Sequence, residues 1–152
     1  MKRIHHLLIG GAGGADAVAD AGLLVLRLTA GLAMAFAHGL GKVPPAPGFV
    51  ELTAGLGFPL PGLFAWAAGL AELAGGLLIA VGLLTRPAAF FLLFTMGVAF
   101  FLQHGGDPFG EREMAFLYGA FSLTLLLTGA GRFSLDALLQ SRVRRSGERF
   151  FR

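Results

Sequence analysis

Apolar residues run almost unbroken through four stretches of the chain, Gly22 to Leu40, Leu63 to Leu84, Pro87 to Gln103 and Met114 to Gly131, which fill half of its 152 residues. Each approaches the ~20 residues with which a helix, rising about 1.5 Å per residue, crosses the ~30 Å hydrocarbon layer of a bilayer. The pattern predicts four membrane-spanning helices. Among these stretches only Arg27 and Glu72 carry a full charge. Charge inside a bilayer is costly and persists mainly where it is used, so these two positions are the first candidates for function.

The polar intervals set the connections. Thr85-Arg86 followed by Pro87 leaves a very short link, so the second and third helices form a tight antiparallel hairpin with Pro87 near the start of the third. Gly41 to Gly62 holds five prolines and predicts a short interfacial helix from Pro47 to Leu56, whereas His104 to Glu113 is short and polar. With both termini and the Thr85-Arg86 turn on one side, nine basic residues (Lys2, Arg3, Arg86, Arg132, Arg142, Arg144, Arg145, Arg149 and Arg152) face two, Lys42 and Arg112. That bias places the termini in the cytoplasm. The expected organisation is a cytoplasmic leader (1–21), a four-helix membrane domain (22–136) and a basic amphipathic tail (137–152). In the tail, Ser134 and Asp136 cap a helix with a Leu135, Leu138, Leu139, Val143 stripe, and its arginines suit anionic lipid.

Composition agrees: 55% of residues are hydrophobic and 14% charged, with a mean hydropathy of +0.73. The isoelectric point near 10.2 comes mostly from the tail after Gly131, and so reports on topology and lipid more than on nucleic acid. No cysteine is present, which removes disulfides, thiolate catalysis, iron–sulfur clusters and cysteine-ligated zinc for this chain acting alone. The Gly10-Gly11-Ala12-Gly13-Gly14 cluster has no preceding strand, and a flexible leader is favoured over a nucleotide loop.

Helical geometry sorts the polar residues inside the membrane. Arg27 and His38 are eleven apart, which in a regular helix leaves them about 20° apart in azimuth, with Gly31 and Met34 or Ala35 between them. Ala68, Gly69, Gly75 and Gly76 surround Glu72 at three- and four-residue spacing, so a partner helix can approach and Glu72 is expected to point inward. Depth makes His38 its expected neighbour. Arg27, about 7 Å from the cytoplasmic edge, is expected to reach Thr128 or Asp136, or to snorkel to lipid phosphate. Gln103, His104, Glu113, Tyr118 and Ser122 fall at comparable heights in the outer half, where a shared polar pocket is expected. No tight metal-ligand spacing is visible, and no Ser, His and Asp catalytic set is implied.

The Arg27, Gly31, His38-Gly39, Lys42 series begins a set of motifs in recognisable order. It continues through Gly57-Phe58-Pro59 with Pro61, Glu72 with Gly75-Gly76, Gly82-Leu83-Leu84-Thr85-Arg86, and His104 with Glu113, and closes on Gly129-Ala130-Gly131-Arg132-Phe133-Ser134-Leu135-Asp136. Together these resemble the DoxX family of small four-helix bacterial and archaeal membrane proteins; the first 20 residues and the arginine-rich end lie outside the resemblance. The resemblance implies an all-α, integral membrane four-helix bundle in a prokaryotic plasma membrane. It further implies a redox component: the family is named from a subunit associated with thiosulfate:quinone oxidoreductase, and other members look like partners of membrane-associated redox and thiol-stress complexes.

On that reading the cofactor is a quinone, whose carbonyls accept hydrogen bonds and take up protons on reduction. Glu72 and His38 are the expected catalytic residues, and Arg27, His38, Glu72, His104, Glu113 and Tyr118 the expected cofactor-binding set. Two other classes fit the same residues. A module that binds or transports a small solute or proton would use the polar cluster. An assembly partner of redox-complex subunits, or of a second copy, would use Arg27 and Glu72 structurally and dock through the small-residue faces.

Overall fold

The computed structural model describes residues 17–150, with side chains to residue 143, and all of its regular structure is helical. The leader expected over 1–21 lies largely outside the described residues, and helix is already present from Ala17. Helix α1 runs Ala17–Lys42, α2 Pro47–Gly55, α3 Pro61–Val81, α4 Thr85–Gln103, α5 Phe109–Thr128 and α6 Leu135–Phe150. Three of them (α1, α3 and α4) are long and apolar enough to cross a membrane. A fourth, α5, has 20 residues but carries Glu111, Arg112 and Glu113 in its first turns. The short helix expected over Pro47 to Leu56 is α2.

Helices α1 and α3 pack through glycine. A Cβ on Gly31 would sit 2.7 Å from the Gly76 carbonyl oxygen, and one on Gly76 2.7 Å from that of Gly31. One level up, the Gly39 site abuts the Leu73 backbone, and above it a Cβ on Gly69 would lie 2.8 Å from the Lys42 carbonyl oxygen. Without side chains between them the two backbones touch, which gives van der Waals contact along the whole seam in a solvent where the hydrophobic effect does not drive helix association.

Packing against α4 and α5 completes the bundle: Met34, Ile79, Ala88, Ala89, Leu92, Met96, Phe121 and Leu125 form one buried cluster. The outside stays apolar. Phe101 is 72% exposed and Leu127 70%, as expected of side chains whose solvent is lipid.

One stretch of α1 departs from regular geometry. Met34–Gly39 forms a π-helical turn before a short 3₁₀ turn, Leu40–Lys42. A π turn closes i→i+5 hydrogen bonds and absorbs one extra residue, so everything beyond it lags by about 100°. The stripe facing α3 therefore reads Arg27, Gly31, Ala35, Gly39, all buried. The azimuth expected for His38 is taken by Gly39. His38 turns instead toward α5, half-buried, its ring 5.5 Å from that of Tyr118.

Candidate functional site

At the end of the bundle where α1 starts, loops and helix termini interlock. Gly82 takes the left-handed conformation (φ 71°) that ends α3, and its N–H and that of Leu83 bond back to Ile79 and Leu78. Leu84, itself at φ 48°, opens α4. The N–H groups of Leu84 and Thr85 are left without helical partners, and both donate to the Asp136 carboxylate, at 2.9 and 3.1 Å. The Asp136 N–H donates in return to the Gly82 carbonyl. Residues separated by more than 50 positions thus cap one another. Asp20 accepts the Arg132 N–H at 3.0 Å, which ties the start of α1 to the same loop.

Arg27 lies beneath this plate with no solvent exposure. Its guanidinium donates to the carbonyls of Ile79 and Ala80, each at 3.4 Å, and to that of Phe133. Neither expected partner accepts a hydrogen bond from it: Thr128 bonds to backbone carbonyls of Thr124 and Gly129, and Asp136, whose oxygens hold the α4 terminus, acts on the guanidinium only through space. Arg27 binds the negative end of α3, where the terminal carbonyls and the helix dipole both favour a cation. It neither snorkels nor lines a site.

Glu72 points inward as expected, 2% exposed, yet its partner is Lys42. The ammonium donates to both carboxylate oxygens at 2.7 Å. Lys42 follows His38 by one helical turn, and its backbone rests on Gly69, one turn before Glu72 on α3; the missing Cβ at Gly69 is what lets the pair close. A buried carboxylate with both oxygens on one ammonium is compensated where a lone one would be expensive.

This ion pair forms the polar head of an elongated cavity of about 360 Å³ between α2, α3 and α4. Phe49, Phe58, Phe64, Phe90, Phe91 and Phe94 supply much of its wall, with Thr53, Thr95 and Gln103 as further polar groups. Along α4 the lining runs from Phe90 to Gln103, thirteen residues or about 20 Å. Phe90, Phe91 and Phe94 are also more than half exposed on the outer surface of the bundle, so the cavity opens sideways, toward lipid.

The remaining expected residues do not share this cavity. His38 and Tyr118 pair on the α1–α5 face. Ser122 is buried and donates to the Tyr118 carbonyl. His104 bonds Asp107 at 2.8 Å in the α4–α5 loop, and Glu113 is exposed. Of the five groups expected to form an outer pocket, Gln103 alone lines the cavity. Lys42 stands in the motif series that carries the family resemblance, but its place in the site was not legible, because the helix that carries it was expected to end at Leu40.

The sequence has counterparts among known proteins. A family model described as DoxX matches residues 22–105. The chain is 35% identical over 124 residues to "Inner membrane protein YphA" of Escherichia coli (strain K12), covering 75% of this chain and 88% of that protein. It is 34% identical over 129 residues to "Inner membrane protein YqjF" of the same organism, covering 81% and 95%. It is 32% identical over 118 residues to "Putative oxidoreductase CatD" of Bacillus subtilis (strain 168), covering 77% and 86%. No solved structure gives a significant match.

Proposed function

We propose that this chain, which belongs to the DoxX family, is a bacterial inner-membrane protein that holds a quinone in the Lys42–Glu72 cavity as a component of a membrane redox system. The observation that carries the reading is the joining of one ion pair, a buried Glu72 carboxylate on a half-buried Lys42 ammonium, to a long, phenylalanine-rich cavity open to lipid. A quinone needs a hydrogen-bond donor at a ring carbonyl, apolar walls for the ring, and an exit for its tail. Lys42 is such a donor, Phe49, Phe64 and Phe94 are such walls, and the gap beside Phe90 and Phe91 is such an exit. When bound, the quinone supplies the electron-accepting chemistry.

The chain's own residues bind and orient the ring and keep water away from it. Lys42 swings part of its hydrogen bonding from Glu72 to a carbonyl oxygen, and its flexible four-carbon stem permits this at little cost. Glu72, which still accepts from Lys42, keeps the ammonium directed into the cavity. The oxidoreductase in the name of the Bacillus relative supports a redox setting. His38 and Tyr118 pair one face away and do not line the cavity. The termini are cytoplasmic in this reading, by the excess of basic residues at that end. An assembly role through small-residue faces is less favoured, since Gly31, Gly39, Gly69 and Gly76 are consumed within the bundle.

Equilibrium binding of a short-tailed benzoquinone to the protein in nanodiscs tests the reading. A charge-assisted hydrogen bond is worth about 1.5–3 kcal/mol, so Lys42→Met is expected to weaken binding roughly tenfold or more. Phe94→Ala should weaken it too. Absence of saturable binding to the wild-type protein, or equal affinity of the wild type and Lys42→Met, overturns the proposal.

A further inference from the structure

Helix α6 leaves the bundle with an apolar stripe that nothing in the described structure covers. Its first turn is fixed: Asp136 is tied to Gly82, Leu84 and Thr85, and Ser134 caps the helix by accepting the Ala137 N–H at 3.2 Å. Beyond that turn, α6 makes no extensive packing against a spanning helix among the described residues. Leu135, Leu138, Leu139 and Val143 nevertheless lie on one side of it, and all are exposed, Leu138 at 58% and Val143 at 69%. At 100° per residue these four fall within about 140° of arc. An arc of that width would be the buried side of a helix in a soluble domain.

Charge identifies what covers it. From residue 137 onward the sequence has Arg142, Arg144, Arg145, Arg149 and Arg152 against the single acid Glu148. Arg142 stands between Leu138 and Leu139 in azimuth, at the edge where a long side chain can keep its charge in the headgroups while its stem lies along lipid. A second copy of this chain would bring five more arginines to the same segment of sequence, and like charge opposes that pairing. The base of α6 sits at the end of the spanning helices, at membrane-surface height. We infer that α6 lies in the membrane surface and binds anionic phospholipid, with its leucine stripe in the acyl boundary and its arginines on headgroup phosphates.

Because the chain has no native cysteine, a single environment-sensitive fluorophore on Val143→Cys reports on α6 in the intact protein, at a site remote from the pinned turn and the cavity. The protein is placed at one copy per nanodisc, in phosphatidylcholine alone or with one third phosphatidylglycerol. With phosphatidylglycerol the emission is expected to shift to the blue and to be quenched by a spin label on the lipid chain; 1 M salt should weaken both effects. Near a charged surface each arginine is worth roughly a fivefold change in partitioning. Arg144→Gln with Arg145→Gln should therefore cut the bound-to-free ratio by an order of magnitude, with the spanning bundle unchanged in its melting. A water-like emission in both lipids overturns the proposal. So does a blue emission indifferent to phosphatidylglycerol, to salt and to the lipid quencher, which would place the stripe against protein.

Discussion

Arg27 and Lys42 are both cations in apolar surroundings, and the groups they meet give them different work. Arg27 spans carbonyls from α3 and from the α5–α6 loop, directions that a planar guanidinium reaches together and a single ammonium does not. Each buried carbonyl left without its donor costs about 1–3 kcal/mol. Arg27→Leu is therefore expected to destabilise the protein by roughly 3 kcal/mol or more, Arg27→Lys to recover part of that, and neither to alter quinone affinity in whatever protein remains folded. Thermal melting and binding measured on the same samples check this, and wild-type melting of Arg27→Leu would refute the role. Lys42 and Glu72 should couple. Removing one partner strands a buried charge, whereas removing both does not, so Lys42→Met is expected to melt below Lys42→Met with Glu72→Gln. The importance of Arg27 and Glu72 was legible in the sequence, since each is a charge isolated in a hydrophobic run. Their partners were not, because a backbone carbonyl leaves no mark in a sequence and Lys42 sits where the apolar run has already ended.

The π turn in α1 explains the other displacement. Counting at 100° per residue puts His38 over Arg27, and the count fails by one residue because Met34–Gly39 closes a wider turn. Nothing in Met-Ala-Phe-Ala-His-Gly announces that turn; it follows from the fit of Gly39 to the Leu73 backbone, a tertiary constraint. The helices themselves were readable from hydropathy, and the seam between α1 and α3 partly so, from the small residues around Glu72. The seam gives a sharp contrast. Gly31→Ala would place its methyl 2.7 Å from the Gly76 carbonyl oxygen, and cannot be housed unless the helices part. A Cβ at Gly97 in α4 meets nothing within 4 Å. Gly31→Ala is expected to cost about 1–3 kcal/mol as overpacking, while Gly97→Ala should be neutral or should stabilise by about 0.5–1 kcal/mol. Reversible unfolding in mixed micelles distinguishes them, and equal effects would dismiss the close seam.

For the molecule in its membrane, orientation is the property on which the remaining readings depend. A cysteine at Gly106, in the α4–α5 loop, should react with an impermeant maleimide added to intact cells, and one at Ser141, in α6, only after lysis. The opposite pattern would reverse the assignment of the termini. The bundle has one end sealed by backbone caps and buried charge, and a side wall in which the cavity opens toward lipid. Rigid closure below and access at the flank suit a site whose traffic is with the bilayer.

The seal also has a consequence for biosynthesis. The turn that joins α3 to α4 exposes two N–H groups whose acceptor, Asp136, lies about 50 residues further along the chain. As the ribosome delivers the spans in order, that hairpin enters the bilayer with its N–H groups unpaired and Arg27 short of the Phe133 carbonyl. The last loop to emerge completes both. A chain truncated at Ala130 would carry every spanning helix and the whole cavity, yet would remain unlatched at one end, with Leu84, Thr85 and Arg27 short of their acceptors.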